Sequence, residues 1–321
     1  MKAPSGNASL MKPCCILNRR TPDLQNKPPM STVYLNGKFI PIEDALIPVT
    51  DRGFLFGDGV YEVIPAYGGR LFRLSHHLQR LQNSLDGIRL DNPHSDAEWK
   101  TILGTLLERN HGLAGTHNDQ SVYLQVTRGS AAKRDHSFPE HVIPTVFATS
   151  NSITDPDPAV TEQGVAAITL DDIRWQYCDI KAVTLLPNVL LRQQAVEQNA
   201  AEAILIRNGL VIEGSSSNVF VIENGNILTP AKGPQMLPGI TRDLVLELAE
   251  QHRLPCRETG ISEDRLREAD EIWITSSTRE IIPVTLLDGQ AVGQGSPGPL
   301  WKTIIEFYRA YKESVRNGTT E

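Results

Sequence analysis

Lys181 stands where the composition of the chain changes. The residues before it, Asp171 to Ile180, are mixed and polar, and those after it, Ala182 to Leu190, carry no formal charge. Beside apolar surface an ammonium loses hydration and the neutral amine is favoured, which makes this lysine a candidate nucleophile. A second stretch, Val211-Ile212-Glu213-Gly214-Ser215-Ser216-Ser217-Asn218-Val219-Phe220, places a glutamate between a strand and a glycine-serine turn. A carboxylate there is buried while the donors of the turn, Ser216 and Ser217 among them, stay close, and Asn218 braces the turn. Two further runs suit an anion. Gly239-Ile240-Thr241 opens a helix, where free amides, the positive dipole end and the Thr241 hydroxyl converge, and Thr275-Ser276-Ser277-Thr278 sets four hydroxyl residues in a row at a strand end. Arg80 falls between Leu78 and Leu81 near the buried face of a helix, where a guanidinium either snorkels to water or forks onto an anion.

Taken singly, these features have ordinary explanations: a lysine at a strand end, a serine-rich surface loop, an N-capping threonine, a polar turn. Together they meet the needs of one cofactor, pyridoxal phosphate. The amine condenses with its aldehyde, and a carboxylate keeps its ring nitrogen protonated, so that the ring is an electron sink for a carbanion at the substrate α-carbon.

The elements that must position these groups follow from periodicity and turn chemistry. Val33–Leu35 and Lys38–Ile40 form a hairpin about Asn36-Gly37. Asp51 to Val63 packs three glycines among aromatics, which suits a backbone passing close to another surface. Helices are expected from His76 to Ile88, with Ser75 as N-cap, and from Asp96 to Asn110. Strands at 122–127 and 145–149 flank the long loop Arg128 to Pro139, and Asp155-Pro156-Asp157-Pro158 reads as a stiff linker. Beyond it come strands at 165–170, 203–206, 211–212, 219–222, 227–229, 271–275 and 281–286, and helices at 188–199, 241–251, 263–268 and 301–311. The class is α/β in composition and α+β in arrangement: mostly antiparallel or barrel-like sheets with peripheral helices. A disordered arm over residues 1–31, a smaller domain over 32–153 and a larger cofactor-binding domain over 159–316 complete the plan.

A chain of 321 residues with 40% hydrophobic content has enough apolar surface for two compact lobes. Its net charge of -7, with no long basic run, argues against nucleic acid or an anionic membrane and in favour of small-molecule ligands. No apolar run reaches the ~20 residues of a membrane span. Cys14, Cys15, Cys178 and Cys256 have neither metal-type spacing nor disulfide-framework density, so no metal site is expected and a reducing cytoplasm is.

In their order along the chain, Lys181, Glu213 to Phe220, Gly239-Ile240-Thr241 and Thr275 to Thr278 resemble the fold-type IV pyridoxal-phosphate enzymes, over roughly Val33 to Tyr311. Asp51-Arg52-Gly53, Phe56-Gly57-Asp58-Gly59-Val60-Tyr61-Glu62-Val63, Asp172-Ile173-Arg174-Trp175 and Asp179-Ile180-Lys181 look most like the D-amino-acid transaminases of that group. The resemblance implies that Lys181 forms the Schiff base with the cofactor and shuttles the proton, and that Glu213 faces the ring nitrogen. It implies phosphate contacts from Arg80, Ile240, Thr241 and Ser277 or Thr278, with Ser276 close by, Ser216 and Ser217 in the cofactor-binding set, and Leu237 at the ring face. Arg134 and His136, with Tyr61, resemble a clamp for the substrate carboxylate, and in the family this loop reaches across from a neighbouring subunit, which implies a homodimer. Here the spacer Ser130-Ala131-Ala132-Lys133 is one residue longer than usual.

The implied activity is ping-pong transfer of an amino group from a D-amino acid, such as D-alanine, to a 2-oxo acid such as 2-oxoglutarate. Rival readings are a branched-chain L-amino-acid transaminase, which usually has Gly-Glu where this chain has Ser216-Ser217, an (R)-amine transaminase needing no strong carboxylate clamp, and an aminodeoxychorismate lyase eliminating pyruvate. A non-catalytic binding protein is the remaining one.

Overall fold

The computed structural model describes residues 31–113, 118–141, 143–154 and 157–320. The expected arm lies outside them apart from Ser31, as do Asp155 and Pro156.

The first sheet is built from β1 (Thr32–Leu35), β2 (Lys38–Pro41), β3 (Gly59–Tyr67), β4 (Arg70–Leu71), β5 (Gln120–Thr127) and β6 (Thr145–Ser152). Its order is β2-β1-β6-β5-β3-β4, antiparallel throughout. Asn36 and Gly37 both take positive φ, 48° and 88°, as the tight hairpin between β1 and β2 requires. A finding beyond the sequence reading is β3. It is buried on both faces along most of its length, so it lacks the alternation that marks a half-buried strand. The expected close approach occurs at its first residue, where a Cβ on Gly59 would stand 2.8 Å from the Val126 carbonyl oxygen.

Helix α1 (Arg52–Phe56) is one short turn capped by Asp51 and ended by Gly57 at φ 67°. Helices α2 (Leu74–Gly87) and α3 (Asp96–Arg109) cover one face of the sheet, packing Leu78, Leu81, Leu85, Trp99, Leu103 and Leu106 against its strands. Helix α2 corrects one expectation. Ser75 lies inside it, and the N-cap is Arg73 at φ 52°, with no side-chain cap bond. Helix α3 follows the sequence closely, because Ser95 and Glu98 form a reciprocal capping box.

Helix α4 (Pro158–Gln163) replaces the described half of the expected linker. The Asp157 carboxylate accepts the Ala159 N–H at 2.9 Å, and Pro158 needs no partner for its nitrogen in a first turn.

The second sheet contains β7 (Val165–Asp171), β8 (Glu202–Arg207), β9 (Leu210–Gly214), β10 (Asn218–Glu223), β11 (Asn226–Thr229), β12 (Cys256–Glu258), β13 (Glu271–Ser276), β14 (Glu280–Leu287) and β15 (Gln290–Ala291). Its order is β12-β11-β10-β13-β14-β7-β8-β9, with β15 paired to β14. Parallel pairings occur at β11/β12, β14/β7 and β7/β8, and the others are antiparallel. Helix α5 (Leu186–Glu197) rests on β8 through Leu191 and Ala195. Helices α6 (Ile240–Gln251) and α8 (Pro299–Arg316) pack Leu244, Val245, Leu248, Trp301, Ile304 and Tyr308 around Phe220 and Trp273, while α7 (Glu263–Arg267) seats Leu266 near β9.

The chain between β7 and α5 carries Lys181, and it is sewn to the first sheet. Tyr61 N–H donates to the Lys181 carbonyl at 3.0 Å, Val183 N–H to the Gly59 carbonyl at 3.0 Å, and Lys181 N–H to Ser84 Oγ at 3.1 Å. Val60 and Ala182 form an isolated β-bridge. Lys181 is therefore held by strand-like bonds to β3 and by α2, so its side chain starts from a rigid backbone.

Candidate active site

A cavity of about 450 Å³ lies between these layers. Tyr61, Arg80, Lys181, Glu213, Ser216, Ser217, Leu237, Ile240, Thr241, Ser276 and Ser277 all contribute to its walls, although they are spread over more than two hundred residues of sequence.

Lys181 Nζ sits 4.2 Å from the centre of the Tyr61 ring. Burial, reinforced by the positive Arg80, pulls its ammonium down to about 8. Among the described residues no carboxylate forms an ion pair with it, so its amine remains available to a carbonyl.

Glu213 is the penultimate residue of β9 and is 4% exposed. Its Oε1 accepts from Arg174 Nη1, and its Oε2 accepts from Asn218 Nδ2 and from the Leu237 N–H, each at 3.1 Å. Burial pushes this carboxyl up to about 7, against the opposing pull of Arg174. Arg174 is itself anchored, donating to both oxygens of Asp172 at 2.9 Å, and Arg207 braces the same aspartate. Asn218 also donates to the Leu237 carbonyl at 2.8 Å, which ties the serine turn to the segment leading into α6.

The phosphate-like corner is the first turn of α6. Its N-cap is Gly239, which provides no side-chain acceptor, so the amides that open the helix are not capped. Glycine is required there, because a Cβ would fall 1.9 Å from Asn218 Oδ1. Close by, Thr275 Oγ1 is buried without a hydrogen-bond partner. An unpaired buried hydroxyl is costly, and here it lines the cavity. Arg80 lines it too, but it is not a free clamp. Its Nε and Nη2 fork onto Glu62 at 2.8 Å each and Nη1 reaches the Pro238 carbonyl at 3.0 Å, leaving two of its five N–H groups for a ligand. His77 Nδ1–H donates to the same Glu62 at 2.8 Å. Burial alone would raise the Glu62 carboxyl, but Arg80 and His77 outweigh it and hold it well below the usual carboxylate range.

Three expected site residues stand apart from the cavity of this chain. Thr278 is exposed and lies off its wall. Arg134 and His136 are exposed and both pack on Phe56, the guanidinium 4.8 Å above the ring and the imidazole 5.2 Å from it. Their loop is held by α1, since Arg52 donates to the Asp135 carbonyl at 2.6 Å while pairing with Asp58 at 2.7 Å. Sequence reasoning also passes over Glu62, Arg174, Glu202 and Arg279 as working residues. One signal is legible for Arg174: two residues after Asp172, its N–H closes an Asx-type turn onto Asp172 Oδ1 at 3.1 Å.

The arrangement sets an amine and a buried carboxylate in one cavity with a cradle of amides, hydroxyls and a guanidinium. That donor set fits pyridoxal phosphate, and the unpartnered Thr275 hydroxyl together with the uncapped start of α6 suits an anion.

Comparison with known proteins agrees. The family model described as amino-transferase class IV matches residues 59–287. A D-alanine aminotransferase of Bacillus licheniformis is 45% identical over 272 residues, 85% of this chain and 94% of that enzyme. A D-alanine aminotransferase of Staphylococcus epidermidis is 40% identical over 286 residues, 89% of this chain and 99% of that enzyme. Among solved structures, the T.th. branched-chain amino acid aminotransferase with pyridoxamine 5′-phosphate superimposes with a TM-score of 0.81 at 25% identity, covering 90% of this chain and 95% of that one.

Proposed function

The chain belongs to the class IV aminotransferases, and on that footing we propose that it is a pyridoxal-phosphate transaminase moving the amino group of a D-amino acid such as D-alanine to a 2-oxo acid such as 2-oxoglutarate, in two ping-pong half-reactions. The observation that carries this reading is the convergence of Lys181, Glu213 and the uncapped start of α6 on one cavity. Preference for the D-series is supported by relatives at 45% and 40% identity that are D-alanine aminotransferases. A branched-chain L-amino-acid transaminase is the second reading, on the strength of the 25% identical structural neighbour.

Pyridoxal phosphate supplies an aldehyde carbon and an electron-withdrawing ring. Lys181 would hold that aldehyde, and its Nζ, once displaced by the substrate amine, would take and return the proton of the substrate α-carbon. Glu213, oriented by Arg174, Asn218 and the Leu237 amide, keeps the ring nitrogen protonated. Ile240, Thr241, Ser277 and Arg80 would seat the phosphate with Ser276 close by, and Leu237 would line the ring face. Tyr61, Arg134 and His136 clamp the substrate carboxylate.

The clamp supports a homodimer. Arg134 and His136 stand outside the cavity of their own chain, and several large apolar side chains are uncovered: Leu46 is 81% exposed, Val49 75%, Phe54 on α1 69% and Ile143 86%. Small-molecule amino and 2-oxo acids are the ligands. Among the described residues no helix is long and apolar enough to cross a membrane. The described cysteines, Cys178 and Cys256, are unpaired, which supports a reducing, cytoplasmic setting.

The test is the absorbance of holoenzyme mixed, without keto acid, with D-alanine or with L-leucine. D-alanine alone is expected to abolish the visible cofactor band and raise the near-ultraviolet one. Conversion by L-leucine alone would transfer the assignment to the branched-chain reading, and conversion by neither to chiral amines or the lyase substrate.

A further inference from the structure

Behind the serine turn lies a carboxylate that takes no part in the chemistry above. Glu202, the first residue of β8, is fully buried and does not line the cavity. It accepts from Ser215 Oγ, from Ser216 Oγ at 3.1 Å, from Ser217 Oγ at 2.8 Å, from the Ala203 N–H at 3.1 Å and from Arg279 Nη2 at 2.9 Å. The fit is tight enough to demand Gly214, where a Cβ would stand 2.2 Å from Ser217 Oγ. Arg279 links the turn to the neighbouring end of β13. Its Nε donates to Ser276 Oγ at 3.4 Å, and its Nη2 also donates to Ser216 Oγ at 3.2 Å.

Hydrogen-bond direction follows from the inventory of donors. An ionised carboxylate only accepts, a guanidinium only donates, and a hydroxyl has a single proton. Ser215, Ser216 and Ser217 therefore turn their protons toward Glu202, so that their hydroxyls have only lone pairs left for any further partner. Ser276 accepts from Arg279 and keeps its proton for a ligand. We propose that Glu202 and Arg279 are positioning residues that divide the cavity by hydrogen-bond polarity, an acceptor wall at the Ser215–Ser217 side chains and a donor wall at Ser276, and thereby confine the cofactor phosphate to the β13–α6 corner. This deepens the cofactor reading and rests on it.

The test is equilibrium dialysis of the protein against pyridoxal phosphate and, separately, against pyridoxal, which lacks the phosphate. Glu202→Gln places a donor where only acceptance is tolerated and slackens Arg279. It is expected to weaken pyridoxal phosphate about tenfold while pyridoxal changes less than about twofold. Arg279→Lys, which keeps a countercharge for the buried Glu202 at a side chain 32% exposed but loses the guanidinium fork to Ser276, is expected to show the same selective loss, which keeps the test open should the Glu202 variant fail to fold. The double variant should be no weaker than the worse single, because both act through one ion pair. Equal weakening of both ligands marks a general structural lesion and overturns the inference, as do unchanged affinity or additive losses. A wild-type protein that binds neither ligand overturns the cofactor reading itself.

Discussion

Lys181 illustrates how far a single side chain's chemistry depends on what surrounds it. Burial disfavours its ammonium and the guanidinium of Arg80 adds repulsion, so the amine titrates at about 8. Below that pH the amine is protonated and cannot attack a carbonyl; above it the nucleophile is fully present. The rate at which apo-protein takes up pyridoxal phosphate, followed by growth of the visible band, should accordingly rise with pH through a midpoint at about 8 and level off above it. Arg80→Met removes the repulsion and should move that midpoint upward. A profile flat through this region, or a midpoint unmoved in the variant, would show that the lysine's environment is not the one described. Glu213 behaves oppositely, because burial raises a carboxyl, and only Arg174, Asn218 and the Leu237 amide keep it useful as an anion. Replacing Arg174 with Gln leaves a buried carboxylate without its countercharge and should lower kcat by about tenfold or more, with the loss easing as pH rises above 7. Steady-state rates across that range check it.

At the scale of elements, the start of α6 joins the two halves of the site. Gly239 allows Asn218 to lie against the helix N-terminus and at the same time to hold Glu213. Gly239→Ala forces a Cβ into Asn218 Oδ1, at a cost of ~1–3 kcal/mol. The holoenzyme Tm and cofactor affinity should both fall. Gly233→Ala, whose Cβ would meet nothing within 4 Å, serves as the control and should change neither. This also explains what sequence alone could reveal. Lys181, the Glu213 turn and Gly239-Ile240-Thr241 are local motifs, each with an ordinary explanation when taken singly, whose residue types point to one chemistry only in combination and through the family resemblance they carry. Glu62 and Glu202 are not local. Each takes its meaning from partners reached only after folding: Arg80 from α2, or Arg279 from across the sheet. Strand β3 hid for a related reason, since burial on both faces erases the alternation by which strands are recognised. Helix α2 began earlier than expected because Arg73, a residue with no capping preference, accepts a left-handed φ there and pairs with Glu247.

For the whole molecule, the question is whether one chain makes a complete site. Its cavity contains Lys181, Glu213 and the start of α6, yet Arg134 and His136 sit on Phe56, with the bond from Arg52 to the Asp135 carbonyl fixing their loop to α1. A loop so firmly tied within its own chain does not fold back into its own cavity without breaking those bonds. It can serve another chain's cavity without moving. The uncovered apolar residues at 46, 49, 54 and 143 give such an association a driving force. Complementation decides it. Lys181→Ala and Arg134→Ala homodimers should each be nearly inactive on D-alanine. If the clamp comes from the partner, subunit exchange creates one intact site per mixed dimer, pairing Lys181 of one chain with Arg134 of the other. Random mixing makes half the dimers mixed, so recovery should approach about a quarter of wild-type activity. If the clamp acts within one chain, no combination places both residues in one site, and exchange confirmed by native mass spectrometry would restore nothing.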